Sequence, residues 1–488
     1  MAAPKRSPRS AQRAGSSSDR AARHNQRMNT VALPSVERLQ RLLAALEHGL
    51  LERADAVRLC LLAALAGEHV LLIGPPGTAK SALARRLHRA FDGAPYFERL
   101  LTRFSTPEEL FGPLSLKALE HDRYERLTAG YLPTAGIAFL DEVFKANSAI
   151  LNALLTLLNE REFDNGTGRT RTPLVSVIGA SNEVPADEAL RAFYDRFLLR
   201  VPVPAVSDSA FEALLRLPDD TAAPLQPLTR TELQALRAGR ERIALPVDVL
   251  QQLNALRALA AQRGIAVSDR RWRQLIGLMR TAALSEGRQT LDTWDLWLAP
   301  YALAAEPAQV APLQQWFVDV VAQAAPQDAP WLTRAVEAFE KQLEIEQSIE
   351  NDTDDGGAGK IALARSLGGT TDTGMLRMTS DALEDFARKR YSAGHVAARL
   401  AQVDEVLQRA QGHLAPLRQQ AEATRRALAG RVWLPPALAA SWCAAQTATL
   451  QRLDSFVQRL QATRQGFAEL PLDSASREPA PRPVALST

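Results

Sequence analysis

Val70-Leu71-Leu72-Ile73-Gly74-Pro75-Pro76-Gly77-Thr78-Ala79-Lys80-Ser81 runs from a short apolar stretch into a Gly/Pro-rich turn, a Lys-Ser pair and a helix-like segment, Ala82–Phe91. Strand, loop, helix is the order in which a phosphate-binding loop is built. Small residues let backbone N–H groups turn inward around an anion, and the helix N-terminus behind them adds a favourable dipole. In that reading Lys80 reaches the β- and γ-phosphates and the Ser81 hydroxyl holds Mg²⁺. The general pattern G-x-x-x-x-G-K-[ST] has Gly where this chain has Ala79. Ala is small but tolerates positive φ poorly, so the motif alone is only moderately specific.

Working outward, 488 residues suffice for two or three domains with buried cores. No apolar run reaches the roughly 18–20 residues of a membrane span; Leu59–Leu65 is too short, and Glu68 follows it. Cys60 and Cys443, the two cysteines, fit no metal-ligand spacing and no structural disulfide, which suits a reducing cytoplasm. A formal net charge of +3 does not point to nucleic acid. In the first 28 residues Asp19 is the sole acid among Arg, Ser and Ala. They read as a disordered basic tail, as extra sequence upstream of a start at Met28, or as an organelle transit peptide.

Ordered structure is expected to open at Pro34-Ser35, with Ser35 an N-cap and Val36, Leu39, Leu42, Leu43 and Leu46 at helical spacing. A second helix, about Ala54–Ala66, leads into the strand before the phosphate loop. Further strands are predicted at Ile137–Leu140 and Val175–Ile178, with a helix between them carrying Ile150, Leu154, Leu157 and Leu158 on one face. Strands alternating with helices argue an α/β fold, a parallel sheet covered on both faces. From about Asp208 to Pro300 the pattern is wholly helical, as in a separate all-α lid. Long helical stretches follow over about Ala308–Glu350, Ser380–Ala429 and Pro436–Phe467. Between the first two lies Asn351–Gly374, rich in Asp, Gly and Thr, which reads as a flexible insert. Leu400, Val403, Leu407, Ala410, Leu414 and Leu417 give near-heptad spacing, the pattern of a coiled-coil hairpin or helical bundle. The expected organisation is therefore a tail (1–33), a nucleotide-binding core (34–205), a lid (206–303), a bundle (304–350 and 380–470), a flexible insert (351–379) and a second tail (471–488).

Asp141-Glu142 follows the apolar run Ile137–Leu140. A carboxylate at the C-terminal edge of a central parallel strand faces the Mg²⁺ held by Ser81, and its neighbour Glu142 is placed to polarise an attacking water as general base. An Asp-Glu pair is also an ordinary acidic turn; the phosphate loop upstream favours the first reading. Ala180-Ser181-Asn182 ends the third strand, where the neutral Asn182 amide can orient that water, although a turn-forming Asn looks the same.

Taken with these residues, the chain resembles the MoxR group of AAA+ ATPases and, within it, RavA-like proteins, whose loops share Ala79. The likeness is carried by Gly74–Ser81, by Thr102–Pro113, by Arg123–Leu127 with Gly130–Pro133, and by Phe139–Ala146. It continues through Ile150–Thr156 and Asn159–Arg161, close from about Pro34 to Pro300 and thinner beyond. It implies ATP/ADP and Mg²⁺ as ligands. Leu51, Gly74, Pro75, Pro76, Gly77, Thr78, Ala79, Lys80 and Ser81 would hold the nucleotide, with Ser81 and Asp141 on the metal. Glu142, Asn182, Arg196 and Arg270 would be catalytic. Asn182 resembles sensor 1. Arg196, in Tyr194–Phe197, resembles an arginine finger offered to a neighbouring subunit, with Arg200 its nearest competitor and an ion pair with Asp195 the plainer reading. Arg270, in Ser268–Trp272, resembles sensor 2, bridging the lid to the phosphates, with Arg271 one position off; a solvated helix start has the same look. Leu51-Glu52-Arg53 falls where the family places part of the adenine pocket, and suits a helix–helix turn nearly as well.

The resemblance also implies a homo-hexamer that uses hydrolysis to remodel a protein partner. Two inserts would project from it, one near Glu120–Tyr131 and a hairpin over Arg161–Pro173 turning at Asn165-Gly166. The expected partner is a von Willebrand factor A domain protein. The lysine decarboxylase contact of RavA-like proteins is not carried over, because Asn351–Ser380 is too short and polar for the β-domain that makes it. No nucleic acid and no membrane span are expected. Two other readings stay open: a nucleic-acid-dependent motor of the same superfamily, and a nucleotide-gated scaffold with negligible turnover.

Overall fold

The computed structural model describes residues 33–166, 168–185, 187–218, 223–322, 329–348 and 391–473. Residues 1–32 of the expected tail 1–33, the whole insert 351–379, residues 349, 350 and 380–390 of the expected bundle, and residues 474–488 of the second tail lie outside them. The described residues form two compact units, 33–321 with 430–435, and 322–429 with 436–473.

In the first unit, helices α1 (Val36–Glu47) and α2 (Ala54–Ala66) precede strand β1 (Val70–Ile73) and helix α3 (Lys80–His88). Strands β2 (Tyr96–Leu100) and β3 (Ile137–Asp141) follow, then helix α4 (Ser148–Glu160) and the strands β4 (Glu162–Asp164), β5 (Arg169–Arg171), β6 (Ser176–Ser181) and β7 (Leu199–Pro202). Helices α5 (Arg230–Gly239), α6 (Val247–Gln262) and α7 (Asp269–Ser285) come next. The main sheet has the order β2-β3-β6-β1-β7, every neighbouring pair parallel. The three strands read from the sequence are its centre. Parallel strands buried on both faces read as continuous apolar runs, which is why these three were legible.

Residues alternate across the sheet. Leu71, Ile73, Leu140 and Val177 join Ile150, Leu154, Leu157 and Leu158 of α4 in one core, the four α4 residues that the helical spacing predicts. Each such buried Leu or Ile contributes about 1.5–3 kcal/mol relative to exposure. Asn147 caps α4, its side chain accepting from the Ile150 N–H at 3.1 Å. On the other side α2, apolar apart from Asp55 and the ion-paired Arg58, is buried from Ala56 to Ala66 between the sheet and helices α5 and α7. A helix without a polar face has to be enclosed in this way.

Strands β4 and β5 form the hairpin expected at Asn165-Gly166, with Gly166 at φ +80°. The Asn165 side chain reaches the other insert, accepting from the Arg126 N–H at 2.7 Å and donating to the Arg126 carbonyl at 3.3 Å. Phe163 of β4 stacks on Phe111 with ring centroids 5.3 Å apart.

In the second unit α8 (Pro330–Ser348), α9 (Ala393–Ala429) and α10 (Pro436–Ala468) pack as a helical bundle. Val403, Leu407, Ala410 and Leu414 are buried in its core, with Leu400 and Leu417 packed against it, so the near-heptad seam is the packing seam. The turn 430–435 between α9 and α10 belongs to the first unit, where the Trp433 indole N–H donates to Ser285 Oγ at 2.7 Å. No helix among the described residues is long and apolar enough to cross a membrane.

Candidate active site

Pairing register fixes which loops meet. Ile73 lies level with Ser181 and Pro202, and Leu140 with Gly179, so the loops after β1, β3 and β6 leave the sheet at one edge. Gly74–Ala79, Asp141–Glu142 and Asn182 are therefore neighbours. The contact between them is direct: Asn182 Nδ2 donates to Glu142 Oε1 at 2.6 Å. Lys145 Nζ stands 3.3 Å from the other Glu142 oxygen.

Lys80 Nζ folds back onto the loop, donating to the Gly74 and Pro75 carbonyls at 2.7 and 2.8 Å. Burial lowers its pKa, and the charges of Asp141 and Glu142 oppose that shift, placing both carboxylates within electrostatic reach of the ammonium. Gly74 admits no side chain, since a Cβ there would lie 2.0 Å from the Val203 carbonyl oxygen. Ala79 takes the left-handed conformation, φ 65° and ψ 22°. Ala occupies the conformation for which the general pattern uses Gly, at a cost of roughly 1 kcal/mol. Glu142 is left-handed as well, at φ 52°, with its N–H donating to Asp141 Oδ1 at 3.0 Å.

Beside the loop is a cavity of about 380 Å³ walled by Leu50, Leu51, Phe211 and Leu214 together with Pro75–Ala79. Leu51 is thus beside the phosphate loop, as the resemblance implies. Phe211 and Leu214 were missed in the sequence. Their signal was an apolar i, i+3 pair following Ser207, on a helix (Asp208–Leu215) that buries none of its residues. Glu52 holds that helix start, accepting from the Ser207 N–H at 2.8 Å.

The arginines are arranged otherwise. Arg196 precedes β7, whose first residue Leu199 pairs with Val70 at the N-terminal edge of the sheet. Arg270 Nη2 donates to Asn159 Oδ1 at 3.0 Å, at the end of α4 on that same edge. The two guanidinium groups are close enough for Arg270 to depress the Arg196 pKa, after the larger effect of burial. One strand length, roughly 13 Å at 3.3 Å per residue, separates this edge from the phosphate loop. Arg270, at the start of α7, thus stands at the edge opposite its own chain's phosphate loop. Arg271 is buried, bonded to Asp195 Oδ1 at 3.0 Å and to the Ala302 and Leu198 carbonyls. Arg200 is buried over the Tyr194 ring and bonded to the Ala304 carbonyl at 2.8 Å. Asp195 pairs with Arg200 and Arg271, and among the described residues no hydrogen bond or ion pair holds the Arg196 side chain, whose Nε is buried without a partner.

Residues 37–237 match the family described as the MoxR domain in the MoxR-vWA-beta-propeller ternary systems, and residues 248–317 match the AAA lid domain. An uncharacterised protein of Methanocaldococcus jannaschii is 41% identical over 273 residues, which cover 55% of this chain and 72% of that one. A second from the same organism is 42% identical over 266 residues, 54% of this chain and 68% of its own length. The chain belongs to the MoxR family of AAA+ ATPases. Protein MoxR of Paracoccus denitrificans is 31% identical over 169 residues, covering 33% of this chain and 49% of that protein. The MoxR match takes in the phosphate loop, Asp141, Glu142, Asn182 and Arg196, and Arg270 falls in the lid match.

Proposed function

We propose that this MoxR-family chain binds ATP with Mg²⁺ at the β1–α3 loop and hydrolyses it at a site completed by a second copy, using turnover to remodel a protein partner. The observation that carries the reading is the 2.6 Å contact joining Asn182 to Glu142 at the edge that bears Lys80. Lys80, released from Gly74 and Pro75, neutralises phosphate charge. Glu142 takes the proton of the attacking water while Asn182 orients that water. Leu51, Phe211 and Leu214 enclose the base.

Ser81 and Asp141 would hold Mg²⁺, which supplies charge neutralisation at the β- and γ-phosphate oxygens. The donor set suits that ion: one hydroxyl and one carboxylate fit a metal that keeps its waters and shares substrate phosphates. No cluster of three or more His, Cys, Asp or Glu side chains able to form an all-protein cage exists among the described residues.

Arg196 is the arginine finger of this reading, since Arg200 is committed to Asp195, Tyr194 and Ala304. Lying a strand length from its own phosphate loop, it serves a neighbour's nucleotide, and Arg270 stands beside it on the same face. That arrangement suits a closed ring, a homo-hexamer in the proposal. The partner is a von Willebrand factor A domain protein, in keeping with the family's description. The affinity to RavA-like proteins, of whose loops Ala79 is typical, belongs to the same proposal, as does a cytoplasmic location.

Glu142→Gln tests the chemistry. Turnover is expected to fall by at least ~10²-fold while ATP affinity stays within about threefold of wild type. Undiminished turnover in that variant would remove Glu142 as the base. Absence of any turnover in the wild-type chain would favour the nucleotide-gated scaffold.

A further inference from the structure

Arg53 stands at the start of α2 with 4% of its surface exposed. Its guanidinium donates to three carbonyls from three segments: Thr78 at 3.1 Å in the phosphate loop, Glu52 at 3.0 Å in the turn before α2, and Pro204 at 2.6 Å in the exit from β7. Among the described residues no carboxylate forms an ion pair with it. Burial of this cation is costly and the charge of neighbouring Glu52 opposes that cost only in part, so the placement calls for a reason beyond packing.

The Thr78–Ala79 peptide supplies one. It is trans, so its C=O and N–H point in opposite directions. A Thr78 oxygen held toward Arg53 turns the Ala79 N–H the other way. Pro76 and Gly77 form a turn that brings the Thr78 N–H back toward the Pro75 carbonyl, and among the described residues no protein acceptor takes the N–H of Gly77 or Ala79. Backbone donors at the tip of such a loop can turn inward around an anion. The left-handed φ of 65° at Ala79 works against this peptide orientation, because a residue with a Cβ relaxes out of that region.

We propose that Arg53 is a positioning residue for the phosphate loop: it grips the Thr78 carbonyl and so keeps the Ala79 N–H aimed at a bound phosphate, against the strain that Ala79 brings. The inference rests on the ATP-site reading above. In it, the general pattern's Gly is replaced by an Ala together with an external clamp. A chain with Gly at position 79 needs the clamp less.

Calorimetric titration of the full chain with ATP and with inorganic tripolyphosphate tests this on wild type, Arg53→Met, Arg53→Lys, Ala79→Gly and the Arg53→Met/Ala79→Gly double variant. Arg53→Met is expected to weaken both ligands by ~10-fold, with kcat at saturating ATP within about twofold of wild type. Arg53→Lys recovers only part of the loss, because an ammonium cannot span three carbonyls as the planar fork does. In the Ala79→Gly background the loss shrinks to ~3-fold or less, a coupling that a double-mutant cycle reads directly. Unchanged affinity in Arg53→Met overturns the proposal. So does an equal loss in both backgrounds, which would make Arg53 a support of the fold and nothing more. A wild-type chain that binds neither ligand would instead bring down the nucleotide-site reading, and this proposal with it.

Discussion

Two strained residues, Ala79 and Glu142, stand where the proposed chemistry takes place, and each is held by named neighbours: Arg53 behind the first, Asp141 and Asn182 around the second. Backbone strain persists only where its surroundings over-determine it. A third residue, His69, plays a plainer part whose signature is pH. It is fully buried; its Nδ1 accepts from the Val177 N–H at 2.9 Å, so its Nε2–H donates to the Leu158 carbonyl at 3.2 Å. Burial, then the charge of Arg161, holds its pKa well below the usual histidine range. The unfolded chain takes up this proton below about 6.5 while the folded chain does not. Stability from His69 is therefore full above that value and is lost as pH falls through it, by up to ~1.4 kcal/mol per pH unit. His69→Gln should be less stable at about pH 7.5 yet lose less than wild type on going to about pH 5.5, as thermal or urea unfolding would show. Parallel curves for the two proteins would contradict this.

Among the elements, those with an unbroken apolar signal were legible. β1, β3 and β6, together with α1, α2 and α4, are fixed by what they must bury, and the phosphate loop and Asp141-Glu142 came with them. The edge strands β2 and β7 were not seen: Tyr96-Phe97-Glu98-Arg99-Leu100 mixes charge with apolar residues because one flank of β2 is free. The wall of the cavity beside the phosphate loop was missed because Phe211 and Leu214 line that cavity and no core, and core burial is what periodicity reports. Arg270 was legible as a residue but its edge of the sheet was not, since no local pattern tells at which end of a sheet a helix starts. The hairpin was legible through Asn165-Gly166, but its contact was not. A Cβ on Gly166 would lie 1.6 Å from the Tyr124 carbonyl oxygen, and the Asn165 amide pairs with both backbone groups of Arg126. The two inserts are thus joined at this point. Asn165→Ala should speed amide exchange at Arg126 by ~10-fold, as judged by site-resolved hydrogen exchange, while changing global stability by less than ~1 kcal/mol. Unaltered protection at Arg126 would mean that the inserts are held together elsewhere.

For the whole molecule, the sheet divides the proposed machinery between two edges. Lys80, Ser81, Asp141, Glu142 and Asn182 lie at one, and Arg196 and Arg270 at the other. A single chain cannot bring these sets onto one triphosphate, so the central claim is that a neighbour supplies the second set. Mixing two inactive variants tests it most directly. Lys80→Ala and Arg196→Ala should each hydrolyse ATP at ~1% of the wild-type rate or less. Combined in equal amounts under conditions that exchange subunits, they should regain roughly a quarter of that rate, because in a random closed ring about one interface in four pairs an intact Lys80 with an intact Arg196. Recovery toward that level is the predicted result; exchange of subunits with no recovered hydrolysis would contradict the shared site.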